Sequence, residues 1–329
     1  MMKTVAWIFA VVFGLVFICA TVMNADLIGR SRTALSRNVL RNPTRSTGAR
    51  YHLVVILPDS NDSFFRGLLD GIGESAPMAD AAVQVFRYPA ASPLEAEPYF
   101  EIALKAKVDG LIMFIPSDDR VAERARIAAR NGVAFIPVGT EAPPGSQPGF
   151  IGAGSLRQGI EGGKRICEVL GSAARIGVIL PATGPRKFLD EPIYRGVAAA
   201  IKAYPPASIV AAERASPGVL SGEETASAML RTHPSLNAMF CSSSSDTVSA
   251  AQVVVDMNKV GKILIIGADE SPEIHRYIQK GVITASIVRD SKWIGREAVS
   301  AFSRSKDNGS ALPPVEAGYS VSSSSEGVR

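Results

Sequence analysis

The chain has 329 residues, enough to bury two hydrophobic cores rather than one. Its 35 basic and 31 acidic side chains give a formal charge of +4, and Arg30, Arg32, Arg37, Arg41, Arg45 and Arg50 crowd into one stretch. Outside that stretch the body is close to neutral, which leaves a nucleic-acid partner without an electrostatic footprint. Cys19, Cys167 and Cys241 are too few for a disulfide framework and read as free thiols.

Val5 to Val22 is an uncharged apolar run of 18 residues after Lys3. It reaches the lower limit for a spanning helix and is longer than the usual core of a signal peptide. Residues 1–23 therefore read as a signal sequence or an uncleaved membrane anchor. Ile18 before Cys19 argues against lipidation, which needs a small residue there. Residues 24–50 read as an Arg-rich linker, either a solvated tether or a contact for anionic headgroups. The positive-inside rule would put this flank in the cytoplasm, against export of the body.

From residue 51 the pattern is regular. Tyr51 to Leu57 is a continuous apolar strand of the kind covered on both faces. Phe64 to Ala76 has apolar residues at helical spacing. Strands are expected at Ala82 to Tyr88, Gly110 to Ile115 and Val133 to Val138, with helices at Leu94 to Ala106 and Val121 to Arg130. A Pro/Gly-rich break follows at Ala142 to Gly149. The alternation then restarts with a helix at Leu156 to Leu170. Strands follow at Arg175 to Leu180, Ser208 to Ala212, Ala238 to Cys241, Ile263 to Ile266 and Ile283 to Val288. Helices fill Ile193 to Ala203, Glu223 to Arg231, Thr247 to Val260, Glu273 to Lys280 and Lys292 to Phe302. Two runs of βα units predict an α/β fold of two Rossmann-like lobes, each a parallel sheet flanked by helices. Ligands on such sheets bind beyond the carboxyl ends of the strands.

Catalytic and cofactor signatures are missing. The loop Pro58 to Ser63 has no glycine for a pyrophosphate, and Gly71-Ile72-Gly73 falls inside a helix pattern. No phosphate-binding loop and no nucleophile elbow occurs, and His52, His233 and His275 have no metal spacing. Neither a cofactor nor a metal is expected, and binding is favoured over catalysis.

The loops offer polar and aromatic groups. Asp62, Phe64 and Phe65 follow the first strand. The carboxylate can accept sugar hydroxyls and a ring can stack on a sugar face; equally, Asp62 or Ser63 can cap the helix while both rings join the core. Asp269 ends a buried strand and reads either as a ligand acceptor or as the cap of the helix near Pro272. Arg289 also ends a strand, as a fork for a carboxylate or polyol or as a salt-bridge partner of Asp290 or Glu270. The run Ser242 to Ser245 before Asp246 can cap a helix or face a ligand.

Residues 51–329 resemble the periplasmic binding protein type I family, the ribose- and galactose-binding group shared with the lactose-repressor core. The matching pieces are the Phe64-Phe65 opening, Val108-Asp109-Gly110-Leu111-Ile112 with Pro116 and Asp118, Asn131-Gly132-Val133 leading to Ile136-Pro137-Val138, Ile151-Gly152 with Gly159, Ile266-Gly267-Ala268-Asp269 with Pro272, and Gly281 to Ile287. The resemblance implies a three-segment hinge with crossings near Ala153-Gly154, Arg289-Asp290 and Pro313-Pro314. It implies one lobe of 51–153 plus 290–312 and another of 154–289 plus 313–329. Ligand contacts carry over to Asp62, Phe64, Phe65, Asp269 and Arg289, with Thr140 and Ser243 at two further contact positions. The sequence departs from the family at several polar grips: Gly139-Thr140 replaces Asp-Arg, Ala153-Gly154-Ser155 replaces Ser-Asp-Asn, and Ser243-Ser244 replaces Asn-Asp.

The resemblance implies an extracytoplasmic solute-binding protein, not an enzyme, that closes on a small carbohydrate and serves an ABC importer permease or a membrane sensor kinase. Its place is the periplasm or cell surface, held to the cytoplasmic membrane through residues 5–22. The alternative is a tethered adaptor with a vestigial cleft that signals through protein contacts.

Overall fold

In the computed structural model of the protein the described residues are 48–90, 92–115, 120–139, 150–182, 187–215, 221–308 and 314–324. The expected anchor (residues 5–22), most of the linker, Pro116, Asp118, Thr140 and Pro313 lie outside them. Among the described residues no helix is long and apolar enough to cross a membrane.

Tyr51–Asp59 forms strand β1, with Leu53 through Pro58 buried in succession, as a strand covered on both faces requires. The first sheet is built from β1, β2 (Ala81–Pro89), β3 (Gly110–Ile115), β4 (Ala134–Gly139) and β5 (Ile151–Gly152), linked by α1 (Ser63–Ser75), α2 (Glu97–Lys105) and α3 (Val121–Arg130). The second half contains α4 (Ser155–Leu170), β6 (Arg175–Leu180), α5 (Pro192–Ile201), β7 (Ser208–Arg214), α6 (Ser221–Thr232), β8 (Ala238–Cys241), α7 (Ser244–Asp256), β9 (Leu264–Ala268), α8 (Pro272–Gln279) and β10 (Ala285–Arg289). It is followed by α9 (Ser291–Asn308), β11 (Val315–Glu316) and β12 (Tyr319–Ser323).

The strand orders are β11-β5-β4-β3-β1-β2 and β12-β10-β9-β8-β6-β7, so the two sheets repeat one doubly wound plan. Every pairing is parallel except β12 against β10. Alternation along the strands divides each sheet's apolar residues between two cores. Leu53, Val55 and Leu57 pack with Phe64, Leu68 and Phe302, whereas Val54 and Ile56 pack with Phe100 and Leu104. In the second sheet Met239 and Cys241 face Ala250 and Val254, while Ala238 and Phe240 face Ile166 and Val197. Burying each large apolar side chain contributes about 1.5–3 kcal/mol. Cys167 and Cys241 are free and buried in these cores.

Each lobe also pairs two helices through glycines. A Cβ on Gly71 would lie 2.0 Å from the Lys292 carbonyl oxygen, and one on Gly295 2.2 Å from that of Leu68. In the other lobe a Cβ on Gly159 would lie 2.2 Å from the Ile193 oxygen and one on Gly196 2.3 Å from that of Leu156. Gly71-Ile72-Gly73 thus belongs to a helix, and Gly71 serves helix contact.

The chain passes between sheets at Ala153–Gly154, where Gly154 has a φ of 66°, and at Arg289–Asp290. The third crossing was expected at Pro313-Pro314, yet Val315 and Glu316 still pair with β5 in the first sheet. The passage therefore falls at Ala317–Gly318, directly before β12 joins β10. The short strands β5, β11 and β12 had no apolar period from which to be read. The helix expected from Leu94 opens as a tight 3-10 turn, Pro93–Ala96, and becomes α-helical only at Glu97.

Candidate ligand cleft

The carboxyl ends of the strands in the two sheets carry the residues that the sequence singled out, and several meet across the lobes. Asp62 follows β1 and caps α1, its Oδ1 accepting the Phe64 backbone N–H at 3.0 Å. The same oxygen accepts the hydroxyl of Ser244, the first residue of α7 in the other lobe, at 3.0 Å. Ser244 Oγ in turn accepts the Ser63 backbone N–H at 3.0 Å. Capping and facing the cleft are thus both roles of Asp62.

Asp269 follows β9 in the left-handed region, with φ 57°. Its backbone is held there by an N–H bond to Ile287 O at 2.9 Å and by Ser286 Oγ, which donates to Asp269 O at 2.6 Å. The cap of α8 is Ser271, whose hydroxyl accepts the Ile274 N–H. The side chain of Asp269 is thereby left for Arg289, which donates through its backbone N–H at 3.2 Å, its Nε at 3.0 Å and its Nη2. The salt-bridge partner of Arg289 is therefore neither Asp290 nor Glu270: Asp290 caps α9 by accepting the Trp293 N–H, and Glu270 lies against His275. The Arg289 guanidinium carbon sits 4.4 Å from the centroid of the Phe64 ring, a cation–π contact between lobes.

Phe64 is 2 % exposed and packs edge-on with Phe65 and Phe114. Phe65 is half-buried and lies edge-on to Phe114 at 4.9 Å. Ser243 is the cap of α7: its Oγ accepts the Asp246 N–H at 3.1 Å and donates to Asp246 Oδ2 at 2.6 Å. That cap starts the helix at Ser244, three residues before the expected Thr247. Thr247 Oγ1 donates to Ser243 O at 2.7 Å and accepts the Ala268 N–H at 3.0 Å, tying the loop after β8 to the end of β9.

The sequence placed the run Ser242 to Ser245 before Asp246 at a helix start but did not single out Ser244 or Asp246 within it. A serine followed three positions later by a carboxylate is a capping pattern, but that the acid is also buried here came only from the structure. Burial, opposed by the Ser243 bond and aided by the Asp62 charge, pushes the Asp246 carboxyl up to about 6. Burial is also the largest influence on Asp62, with the Asp269 charge adding to it. These raise its pKa above the usual carboxylate value against the pull of Arg289, the Phe64 amide and the Ser244 hydroxyl. Asp62 thus feels the charges of both Asp269 and Arg289, while Asp246 feels that of Asp62. Among the described residues no three metal-ligating side chains come together.

Beside this cluster lies a cavity of about 710 Å³ between α1 and the start of α8, floored by the crossings at Arg289–Asp290 and Gly318. Phe64, Asp269 and Arg289 form one wall, and Arg66, Asp70, His275 and Lys292 line the rest. Its size falls within the range of about 300–1,000 Å³ common to small-molecule sites. Ser155 Oγ, beside the Gly154 crossing, and Ser242 Oγ, just beyond β8, are buried without a hydrogen-bond partner.

Two doubly wound lobes, three crossings and a polar cluster between facing strand ends define a two-lobed α/β protein with a cleft between its sheets. A profile of the family described as "Periplasmic binding protein domain" matches residues 53–307, and the chain belongs to that family. The D-allose-binding periplasmic protein of Escherichia coli is 22% identical over 278 residues, covering 82% of this chain and 88% of that protein. An ABC transporter solute-binding protein from Burkholderia graminis, solved with D-arabinose, has a TM-score of 0.76 at 17% identity and covers 85% of this chain and 98% of its own. The chain solved as an XylFII-LytSN complex has a TM-score of 0.74 at 22% identity, covering 84% and 98%.

Proposed function

We propose that the chain is an extracytoplasmic receptor, not an enzyme, that closes its two lobes on a small sugar-like molecule. On this reading it presents the closed form to an ABC importer or a membrane sensor. Residues 5–22 would serve as its export signal or anchor. The observation that carries the reading is the cluster of Asp62, Phe64, Asp269 and Arg289 at strand ends contributed by both lobes, beside a cavity of small-molecule size. The D-allose and D-arabinose named for relatives support a carbohydrate ligand, and the XylFII-LytSN complex supports a protein partner. Mechanistically, a ligand that binds the closed form better shifts the population toward it. Free acceptors on Asp62 and Asp246 and the donors of Arg289 suit a polyol. Thr140, Phe65 and Ser243 complete the proposed surroundings, Ser243 by holding Asp246 rather than by touching ligand.

A second reading, an adaptor whose cleft no longer binds, is favoured by one observation. Asp269 and Arg289 already satisfy each other, as do Asp62 and Ser244.

Thermal unfolding against a panel of sugars, polyols, sugar acids and nucleosides separates the two. A ligand at about 100 times its dissociation constant adds about 2.7 kcal/mol and a readable shift in Tm. The receptor reading expects such a shift, lost in Asp62→Ala when each variant is compared with its own ligand-free Tm. No shift across the panel supports the adaptor.

A further inference from the structure

Closure of a hinged receptor is ordinarily carried by ligand contacts, yet the lobes here are joined by bonds that contain no ligand atom. Ser244 uses its hydroxyl twice, donating to Asp62 Oδ1 and accepting from the Ser63 amide, each at 3.0 Å. Both partners belong to the segment that opens α1 in the opposite lobe. Ser244 and Asp62 are 4% and 9% exposed, so water competes poorly for these bonds. Each side is also fixed from within its own lobe. The Ser243 cap and the Thr247 bridge to Ala268 hold the start of α7. The bond from the Asp62 N–H to Ser60 Oγ, at 3.1 Å, and that from Phe64 N–H to Asp62 hold the start of α1. The Arg289–Phe64 contact adds a second interlobe tie beside the first.

We infer that Ser244 and Asp62 form a built-in interlobe clasp that keeps the receptor substantially closed when no ligand is present. Closure then does not report the ligand alone. The ligand retunes an equilibrium that the protein's own groups already favour, and a partner reading the closed face receives a basal signal. A hydroxyl offers one donor and two acceptor sites, so Ser244 retains one acceptor and can turn from Asp62 toward a bound polyol without being stranded.

The test places spin labels on the full chain at Gly73→Cys in α1 and Lys280→Cys at the end of α8. Both positions are exposed, and Cys19→Ser removes the native thiol that is not one of the two buried cysteines. Distances are measured with no sugar added, so a failed ligand panel has no bearing on the outcome. The clasp expects one dominant short distance in the parent. In Ser244→Ala the closed-to-open ratio should fall about tenfold, equivalent to about 1.4 kcal/mol, and a longer distance should appear. Asp62→Asn, which retains an acceptor, should stay closed. A parent that is open without ligand overturns the inference, and so does a folded Ser244→Ala whose distances match the parent.

Discussion

Replacing Asp269 with asparagine would remove one charge from the most enclosed ion pair in the cleft while keeping shape and tolerance of the left-handed backbone. Asp269 and Arg289 are 3% and 9% exposed, and Arg289 spends its backbone N–H, Nε and Nη2 on this carboxylate. Without it the guanidinium lies buried on the Phe64 ring, with Asp62 and its raised pKa as the other nearby acid. Breaking a buried pair from one side costs about 3–5 kcal/mol, because the cost is that of a stranded charge. Urea denaturation of the full chain should show this as a fall in midpoint at little changed slope. Adding Arg289→Met should restore part of the loss by removing the stranded cation, giving a strongly non-additive cycle. A loss under about 1 kcal/mol for Asp269→Asn, or a double variant no more stable than the single one, would refute the reasoning.

Two further outcomes follow from the geometry. Asp246 titrates near about 6 when folded against 3.8 ordinarily, so its contribution to stability is fully present below about pH 4 and is lost as pH rises through about 6. The difference between the parent and Asp246→Asn, measured by denaturation from pH 4 to 8, should change by about 3 kcal/mol in that direction; a flat difference would contradict it. Gly295→Ala should destabilise by at least about 1–3 kcal/mol in the same assay, because the added methyl would lie 2.2 Å from the Leu68 carbonyl oxygen. An unchanged midpoint would mean that α1 and α9 can separate freely.

Much of the fold was legible because each central strand is buried on both faces and so reads as an unbroken apolar run. Gly110–Ile115, Arg175–Leu180 and Ala238–Cys241 were placed to the residue. What escaped was short or set by pairing rather than by pattern. Val315–Glu316 is a strand only because β5 lies beside it, which is why the third crossing was misplaced. The site followed the same logic. Asp62, Asp269 and Arg289 were visible as polar groups at strand ends, but their pairing depends on a register of two β-strands and on a left-handed turn at Asp269. Ser243 was legible as a hydroxyl at a helix start, although its choice between cap and ligand was not. Ser244, one residue on, carries the interlobe bonds because the cap at Ser243 fixes which serine begins the helix.

The short strands β11 and β12 complete both sheets from one stretch of nine residues, Val315 to Ser323. The first lobe in addition draws α9, made after β10 of the second, against α1 and β4. During synthesis the segment up to Gly152 therefore emerges with its α1 surface uncovered, and it stays so until the ribosome has passed β10 of the other lobe. Neither sheet reaches its full width before the last of these residues is released.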